Sequence, residues 1–230
     1  MKRNQSGFTL IEIAIVLVII GLLLGGVLKG QELINSAKVK NLATDFRNIP
    51  VFIYGYQDKF KALPGDDAAV FAHNGGTLAT TGATPGNGLI DGNWNSYTST
   101  HETYLFWQHV RFAGLTAGPT ALPAAPAPGD GYRPVNAAGG EIGIQSGTSI
   151  VANAPIIDAA GVAIHGTFII CSPNILGKFA KQLDIQLDDG NTAGGSMMAI
   201  SGTALNSTAV ATTGATGIDD AAIYTVCMGM

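Results

Sequence analysis

Residues 1–28 read MKRNQSG-FTLIEIAIVLVIIGLLLGGVL, and this stretch decides how the rest of the chain is organised. Residues 1–7 are short, basic and polar, and the 21 residues that follow contain a single charged side chain, that of Glu12. A helix rises about 1.5 Å per residue, so residues 8–28 would span the roughly 30 Å hydrocarbon core of a bilayer. The sequence therefore predicts a membrane-spanning helix at residues 8–28.

Glu12 is the unusual feature of this segment. A secretory signal keeps its apolar stretch free of charge, and an ordinary membrane anchor avoids an ionised acid one turn into the bilayer. If the chain is cut between Gly7 and Phe8, however, the new α-amine lies four residues before Glu12, on the same face of the helix. The cut thus creates a positive partner for the carboxylate, either within one chain or between neighbouring chains.

The residues Gly7-Phe8-Thr9-Leu10-Ile11-Glu12, preceded by Lys2 and Arg3, resemble the processing motif of type IV prepilins and type II secretion pseudopilins. The resemblance implies that a prepilin peptidase cleaves after Gly7 and methylates the amine of Phe8. It also implies that Glu12 meets the amine of an adjacent subunit as the helix leaves the bacterial inner membrane for a filament. The leader would face the cytoplasm and the body would lie in the periplasm or at the cell surface. The other partners implied are further pilin-like subunits and the filament assembly platform.

A second hydrophobic pattern follows the apolar run. Apolar residues recur there at alternating spacings of three and four, which predicts a helix with one buried stripe: Val39, Leu42, Phe46, Ile49, Ile53, Tyr56 and Phe60. We therefore expect one long helix from about residue 8 to about residue 61, with Pro50 as a point of bending. The domains are then a leader (1–7), a transmembrane or filament-core helix (8–28), its amphipathic continuation (29–61) and a globular body (62–230).

The body is loop-rich, with short elements between the loops. We expect helices at 101–115 and 175–183, and strands at 141–145, 162–171, 197–201 and 222–227. The fold class is then α+β and type IV pilin-like: a long N-terminal helix packed against a small antiparallel β-sheet. Four short regions also resemble, more weakly, parts of one group of large-bodied prepilins: Leu63-Pro64-Gly65-Asp66, Gly86-Asn87-Gly88 with Asp91-Gly92, Trp107-Gln108-His109 with Ala113-Gly114-Leu115, and Asp188-Asp189-Gly190.

Charge and motif content argue against two classes of function. Beyond Lys61 the chain has twelve acidic and four basic residues, whereas nucleic-acid binding needs a basic face, so no nucleic-acid partner is expected. The sequence has no G-x-S-x-G, no complete P-loop and no H-E-x-x-H, so we expect no enzymatic activity.

Cys171 and Cys227 lie far apart in the chain, and neither has a Cys-x-x-Cys partner. If the body is exported, a structural disulfide between them is the leading interpretation, because exported proteins meet an oxidising environment. Two separate buried thiols are the alternative.

Residues 91–102 (DGNWNSYTSTHE) have the ligand spacing of a calcium loop. The side chains of Asp91, Asn93, Asn95 and Glu102 occupy loop positions 1, 3, 5 and 12, and the carbonyl of Tyr97 occupies position 7. Serine stands at position 6, where a sharp turn favours glycine. An Asx-rich surface turn, with Glu102 beginning a helix, is the simpler interpretation, and calcium binding is the alternative.

The N-terminal motif favours a structural subunit of a type IV pilus-like or type II secretion filament, which polymerises through its N-terminal helix. The alternative is a membrane-tethered extracytoplasmic binding or adhesion protein that does not polymerise. A secreted enzyme released by signal cleavage is the least supported of the three.

Overall fold

The computed structural model of the chain describes residues 9–82, 84–148, 151–212 and 217–230. These residues form two compact units, which divide between Lys38 and Val39. In chain order, the elements are helix α1 (Leu10–Phe60), helix α2 (Val70–Asn74), helix α3 (Glu102–Phe112), strand β1 (Gly143–Ser146), a 3₁₀ turn (Val151–Asn153), strand β2 (Ile156–Ile157), strand β3 (Phe168–Leu176), helix α4 (Gly177–Leu187), strand β4 (Met197–Ser201), strand β5 (Ser207–Thr208) and strand β6 (Ile223–Gly229).

Helix α1 confirms the long N-terminal helix that the sequence predicts. It continues through Pro50 and ends at Phe60, where Lys61 takes a positive φ of 56°. Phe8, at the expected start, lies outside the described residues. In the first unit, every large apolar side chain from Leu10 to Ile34 is at least 46% exposed, so the helix presents apolar surface all round. This part of α1 is long and apolar enough to cross a membrane.

In the second unit, α1 provides the buried stripe that the spacing predicts. The side chains of Val39, Leu42, Phe46, Ile49, Ile53 and Tyr56 are each at most 5% exposed, and Phe60 is half-buried. From Val39 to Ile53, the stripe belongs to the same core as the helix α3 residues Phe106 and Val110 and the sheet residues Ile170 and Val226. The second half of α1 is therefore an integral part of the body.

The main sheet has four strands in the order β1-β3-β6-β4, and every neighbouring pair is antiparallel. Successive side chains along β3 point to opposite faces, as a pleated strand requires. Phe168 and Ile170 join the core that contains α1, whereas Ile169 and Cys171 join a second cluster around Trp94. The α+β class with a small antiparallel sheet is thus confirmed. The parallel pairing of β2 with β5 was not predicted from the sequence.

Cys171 on β3 lies directly opposite Cys227 on β6, and the two form a disulfide. Their Cα atoms are 4.1 Å apart, within the distance of about 7 Å beyond which a bridge needs backbone movement. The pairing that the sequence predicted is confirmed. The bridge joins residues 56 positions apart, for which loop-closure entropy gives a stabilisation of about 4 kcal/mol.

The strand predicted at 162–171 is wrong in its first half, because β3 begins only at Phe168 and runs on to Leu176. Gly166 has a φ of 153°, and a Cβ built there would lie 2.5 Å from the backbone nitrogen of Met230. The chain therefore turns tightly against the C-terminus before the strand begins. The other three strands and the two helices predicted in the body lie where the sequence places them, with ends shifted by at most a few residues, whereas helix α2 was not predicted.

A buried histidine ties α3 to the turn that follows α1. The backbone N–H of Gly65 donates to Nδ1 of His109 at 2.9 Å, and Nε2 of His109 donates to the carbonyl of Thr77 at 2.9 Å. Together these bonds require a neutral ring with its proton on Nε2. Burial lowers the pKa of His109 to about 4, although the Thr77 carbonyl and the Asp67 carboxylate partly oppose the shift.

His109 should make the body less stable in acid. Its folded-state pKa of about 4 is below the value of about 6.5 expected in the unfolded chain, so the unfolded chain takes up the proton first. The contribution is constant above about pH 6.5 and is lost as the pH falls toward 4, amounting to about 3 kcal/mol. Urea unfolding of the full chain in detergent, followed by tryptophan fluorescence at pH 7 and pH 4, measures the loss.

The His109→Gln variant isolates this effect, because glutamine can still accept from Gly65 and donate to Thr77. It should lose about 3 kcal/mol less than wild type between the two pH values. The His165→Gln variant changes an exposed histidine and should behave as wild type does. Equal losses in wild type and His109→Gln would contradict the assignment.

Candidate functional site

Thr9 and Glu12 form a capping box at the start of α1. The backbone N–H and the hydroxyl of Thr9 each donate to Oε2 of Glu12 at 2.8 Å, and the backbone N–H of Glu12 donates to Oγ1 of Thr9 at 3.3 Å. The Thr9 carbonyl accepts the first helical bond, from the N–H of Ile13. Such reciprocal bonds satisfy backbone donors that a helix N-terminus otherwise leaves unpaired.

The capping box gives the carboxylate of Glu12 a local role that the sequence analysis missed. The signal was present in the sequence as threonine followed three residues later by glutamate, immediately before an apolar run. The hydrogen bonds hold the carboxylate at the N-terminus of α1, where the helix dipole favours a negative charge. The Glu12 carboxylate therefore already accepts hydrogen bonds from its own chain, without any group from a second subunit.

Gly7 and Phe8, the predicted processing residues, lie outside the described residues. Chain connectivity nevertheless limits where a new amine could be. After a cut at Gly7, the amine nitrogen would belong to the residue immediately before Thr9, whose own N–H already binds Glu12. Consecutive Cα atoms are about 3.8 Å apart, so the amine would be produced beside the capping box.

Residues 2–28 match the family model described as the prokaryotic N-terminal methylation motif. The chain thus carries the prepilin-type cleavage and methylation signature, and the matched segment contains Gly7, Phe8 and the capping box. A search of curated proteins and a search of solved structures each found no match to the chain. The motif, an apolar helix fit for a membrane and the α+β body together support a pilin-like precursor.

The predicted calcium loop is held by hydrogen bonds within the body. Oε2 of Glu102 accepts the backbone N–H of Asp91 at 2.7 Å, the side-chain amide of Asn95 donates to the carbonyl of Thr203 at 3.0 Å, and the Tyr97 hydroxyl donates to Glu141. Glu102 is the first residue of α3, as the simpler interpretation of this segment expects. Asn93 is exposed. Calcium binding at residues 91–102 remains a prediction.

The environment of Glu102 is unfavourable to its charged form. Its side chain is buried, and the burial, together with the nearby carboxylates of Asp66 and Asp91, raises the pKa of Glu102 to about 7. Both oxygens of Asp66 are already engaged by the backbone N–H groups of residues 86–88. A carboxyl group that is partly protonated at neutral pH is a weaker calcium ligand than a full carboxylate.

Removing the capping hydroxyl should loosen the first turn of α1. Thr9→Val keeps the side-chain shape but cannot bond Glu12, and loss of such a cap costs about 1 kcal/mol. Amide hydrogen exchange at Glu12 and Ile13, measured by NMR on the full chain in detergent, should therefore become about fivefold faster. The matched variant Glu12→Gln retains an acceptor that fits a capping box, so its exchange should stay near the wild-type rate. Unchanged exchange in Thr9→Val would contradict a capping role.

Proposed function

We propose that this chain is the precursor of a structural filament subunit of the type IV pilus or type II secretion kind. A prepilin peptidase cuts it after Gly7 and methylates the amine of Phe8, and the processed subunit polymerises through α1. The observation that carries the proposal is the methylation motif at residues 2–28, with Glu12 held at the very start of an apolar, exposed helix. The role is structural, without enzymatic activity or a nucleic-acid partner.

The exposed apolar surface of α1 supports polymerisation. Side chains such as Leu22 and Leu28 are 73% and 67% exposed in the single chain, which no soluble monomer tolerates over so long a segment. Lipid covers this surface in the bacterial inner membrane, and the same surface of neighbouring subunits covers it in a filament. Moving from the membrane into a filament would therefore replace apolar contacts with lipid by apolar contacts with neighbouring subunits.

Glycines in the same segment offer room for close helix contact. Gly21 and Gly25 form one pair four residues apart, and Gly26 and Gly30 form another. A Cβ built at any of them would meet no atom of the described chain within 4 Å. Small residues at this spacing let helices approach closely in lipid, and these positions would serve contacts between subunits in the same way.

Glu12 is the group that sets the register between subunits. In an apolar filament core an ionised carboxylate is costly unless it is paired, and the methylated amine of Phe8 is a cation produced at the same end of the helix. An incoming subunit whose amine meets the Glu12 of its neighbour has one favoured axial position. Apolar contacts alone, being non-directional, would allow several.

The proposed charge pairing predicts that Glu12→Gln uncouples processing from assembly. The variant keeps the shape and the capping bonds but removes the charge, so it should be inserted and cut as wild type is. Its filament yield should fall at least about tenfold, which corresponds to a loss of ~1.4 kcal/mol per added subunit. Cleavage, read from the size of the membrane-bound chain, and filaments, sheared from the surface, are measured in the same cells of the native bacterium.

Two further variants complete this experiment. Thr9→Val keeps the Glu12 charge and loses the cap, so its filament yield should exceed that of Glu12→Gln. Gly7→Val places a side chain where the peptidase needs a bare backbone and should give the uncut control. Wild-type filaments from processed Glu12→Gln protein would overturn the pairing role, and loss of cutting in Glu12→Gln would make Glu12 a peptidase-recognition residue instead. Processed wild-type protein without filaments would favour the membrane-tethered binding protein.

A further inference from the structure

Three aspartates converge where α4 ends and the loop to β4 begins. Asp184 lies in the last turn of α4, and Asp188 and Asp189 follow the helix directly. One carboxylate oxygen of each residue lies within 4.8 Å of the corresponding oxygen of the other two. Asp188-Asp189-Gly190 is by sequence most simply a turn, in a segment that resembles other prepilins, and the sequence pattern does not connect this turn with Asp184.

Asp184 is the informative member of this cluster. Its side chain is 0% exposed, and its Oδ1 accepts the backbone N–H of Gly190 at 2.6 Å. The second oxygen, Oδ2, is also buried, and no described group donates a hydrogen bond to it. A buried carboxylate oxygen without a donor is unfavourable, because it has lost water and gained nothing in return.

The two neighbouring carboxylates are each half engaged. Oδ2 of Asp188 accepts the backbone N–H of Met197 at 2.9 Å, and Oδ1 of Asp189 accepts that of Asn191 at 2.8 Å. Asp188 and Asp189 each therefore have a second oxygen beyond these bonds. None of the ion pairs among the described residues includes any of the three aspartates.

Burial and the adjacent negative charges of Asp188 and Asp189 raise the pKa of Asp184 to about 6. Oε1 of Glu102 is likewise buried without a described donor, but the neighbouring carboxylate of Asp66 has both oxygens engaged by backbone N–H groups.

Carboxylate oxygens within 4.8 Å of one another can all bind one hard divalent cation. Calcium binds carboxylate oxygens at 2.3–2.6 Å, so oxygens on opposite sides of one ion are about 4.6–5.2 Å apart. We propose that Asp184, Asp188 and Asp189 form a binding site for a hard divalent cation, with calcium preferred. Magnesium, at about 2.1 Å, needs its oxygens within roughly 4.2 Å and a stricter octahedral arrangement. Asp189 is exposed, so water completes the coordination from that side.

The cation would tie α4 to the sheet. Asp184 belongs to the helix, whereas Asp188 holds the N–H of Met197, the first residue of β4. A Cβ at Gly195 would lie 2.3 Å from Oδ2 of Asp188, so the loop backbone closes tightly around that carboxylate. One ion bound by all three carboxylates would thus join the helix, the turn and the strand.

The test uses the full chain in detergent at pH 7.5, after treatment with EGTA. Adding calcium chloride should raise the melting temperature of wild type and give a calorimetric binding isotherm with one site. The dissociation constant should be roughly 10⁻⁴ to 10⁻³ M, the range of extracellular calcium modules. Asp184→Asn and the exposed variant Asp189→Asn should each weaken binding at least about tenfold. Magnesium chloride forms a parallel arm and should bind more weakly than calcium.

Matched variants separate this site from other aspartates and from residues 91–102. Asp158 closes an exposed turn by accepting the N–H groups of Ala160 and Val162, and Asp158→Asn should respond to calcium as wild type does. Glu102→Gln should also respond normally. In EGTA, Asp184→Asn should melt at or above the wild-type temperature, because the substitution removes an uncompensated charge. If Asp184 had only a structural role, the melting temperature of Asp184→Asn would be lower than that of wild type.

Several results would overturn the proposal. One is a wild-type chain whose melting temperature and calorimetric signal do not change with up to about 10 mM of either cation, well above the expected dissociation constant. Another is calcium binding that survives in Asp184→Asn and in Asp189→Asn. Binding that is lost only in Glu102→Gln would assign calcium to residues 91–102. If Asp184→Asn does not fold, the exposed Asp189→Asn variant still decides the outcome.

Discussion

The apolar surface of α1 is the constraint on which the rest of this protein depends. From Leu10 to Ile34 its large side chains are exposed, and water is a poor solvent for all of them. A helix satisfies its own backbone bonds, so it can enter lipid, and it can equally pack against other helices. In the proposed filament, the single carboxylate at the start of α1 is the group that would distinguish one axial position of the helix from another. Thr9 holds that carboxylate at the helix N-terminus, within the segment that matches the methylation motif, and the proposed cut falls after Gly7.

The body is subject to a different constraint. Its loops bury polar groups, and these groups need hydrogen-bond partners within the protein. Asp66 accepts three backbone N–H groups from residues 86–88, where Gly86 and Gly88 both have positive φ. His109 links Gly65 to Thr77 as a neutral ring. A Cβ at Gly65 would approach the carbonyl of Glu102 to 2.6 Å, so only glycine lets the turn lie this close to α3. Three of the segments that weakly resemble other prepilins are thus in contact, and their shared feature is this buried polar junction.

The sequence predicted what depends on local periodicity. The spacing of Val39 to Tyr56 predicts the buried stripe, and the strand predicted at 197–201 is β4 with its observed ends. What it missed depends on tertiary contacts. The first half of the strand predicted at 162–171 is absent because Gly166 turns against the C-terminus, and strands β2 and β5 are too short to give a pattern. The aspartate cluster brings Asp184 of helix α4 together with two residues of the turn that follows the helix. Neither the helix residue nor the turn has a distinctive sequence pattern by itself. The Thr9–Glu12 capping box, by contrast, has a local sequence signal, because threonine is followed three residues later by glutamate.

The identity of the first residue in the mature chain tests most directly whether this protein is a precursor. The proposed cut lies before the Thr9–Glu12 capping box and would leave α1 at the N-terminus of the mature subunit. Mass spectrometry of the full-length product, purified from the membranes of the native bacterium, identifies the first residue and any methyl group on it. We expect a chain that begins at Phe8 and carries one N-terminal methyl group. A chain that keeps Met1, or one that begins near residue 30 after signal cleavage, would contradict it.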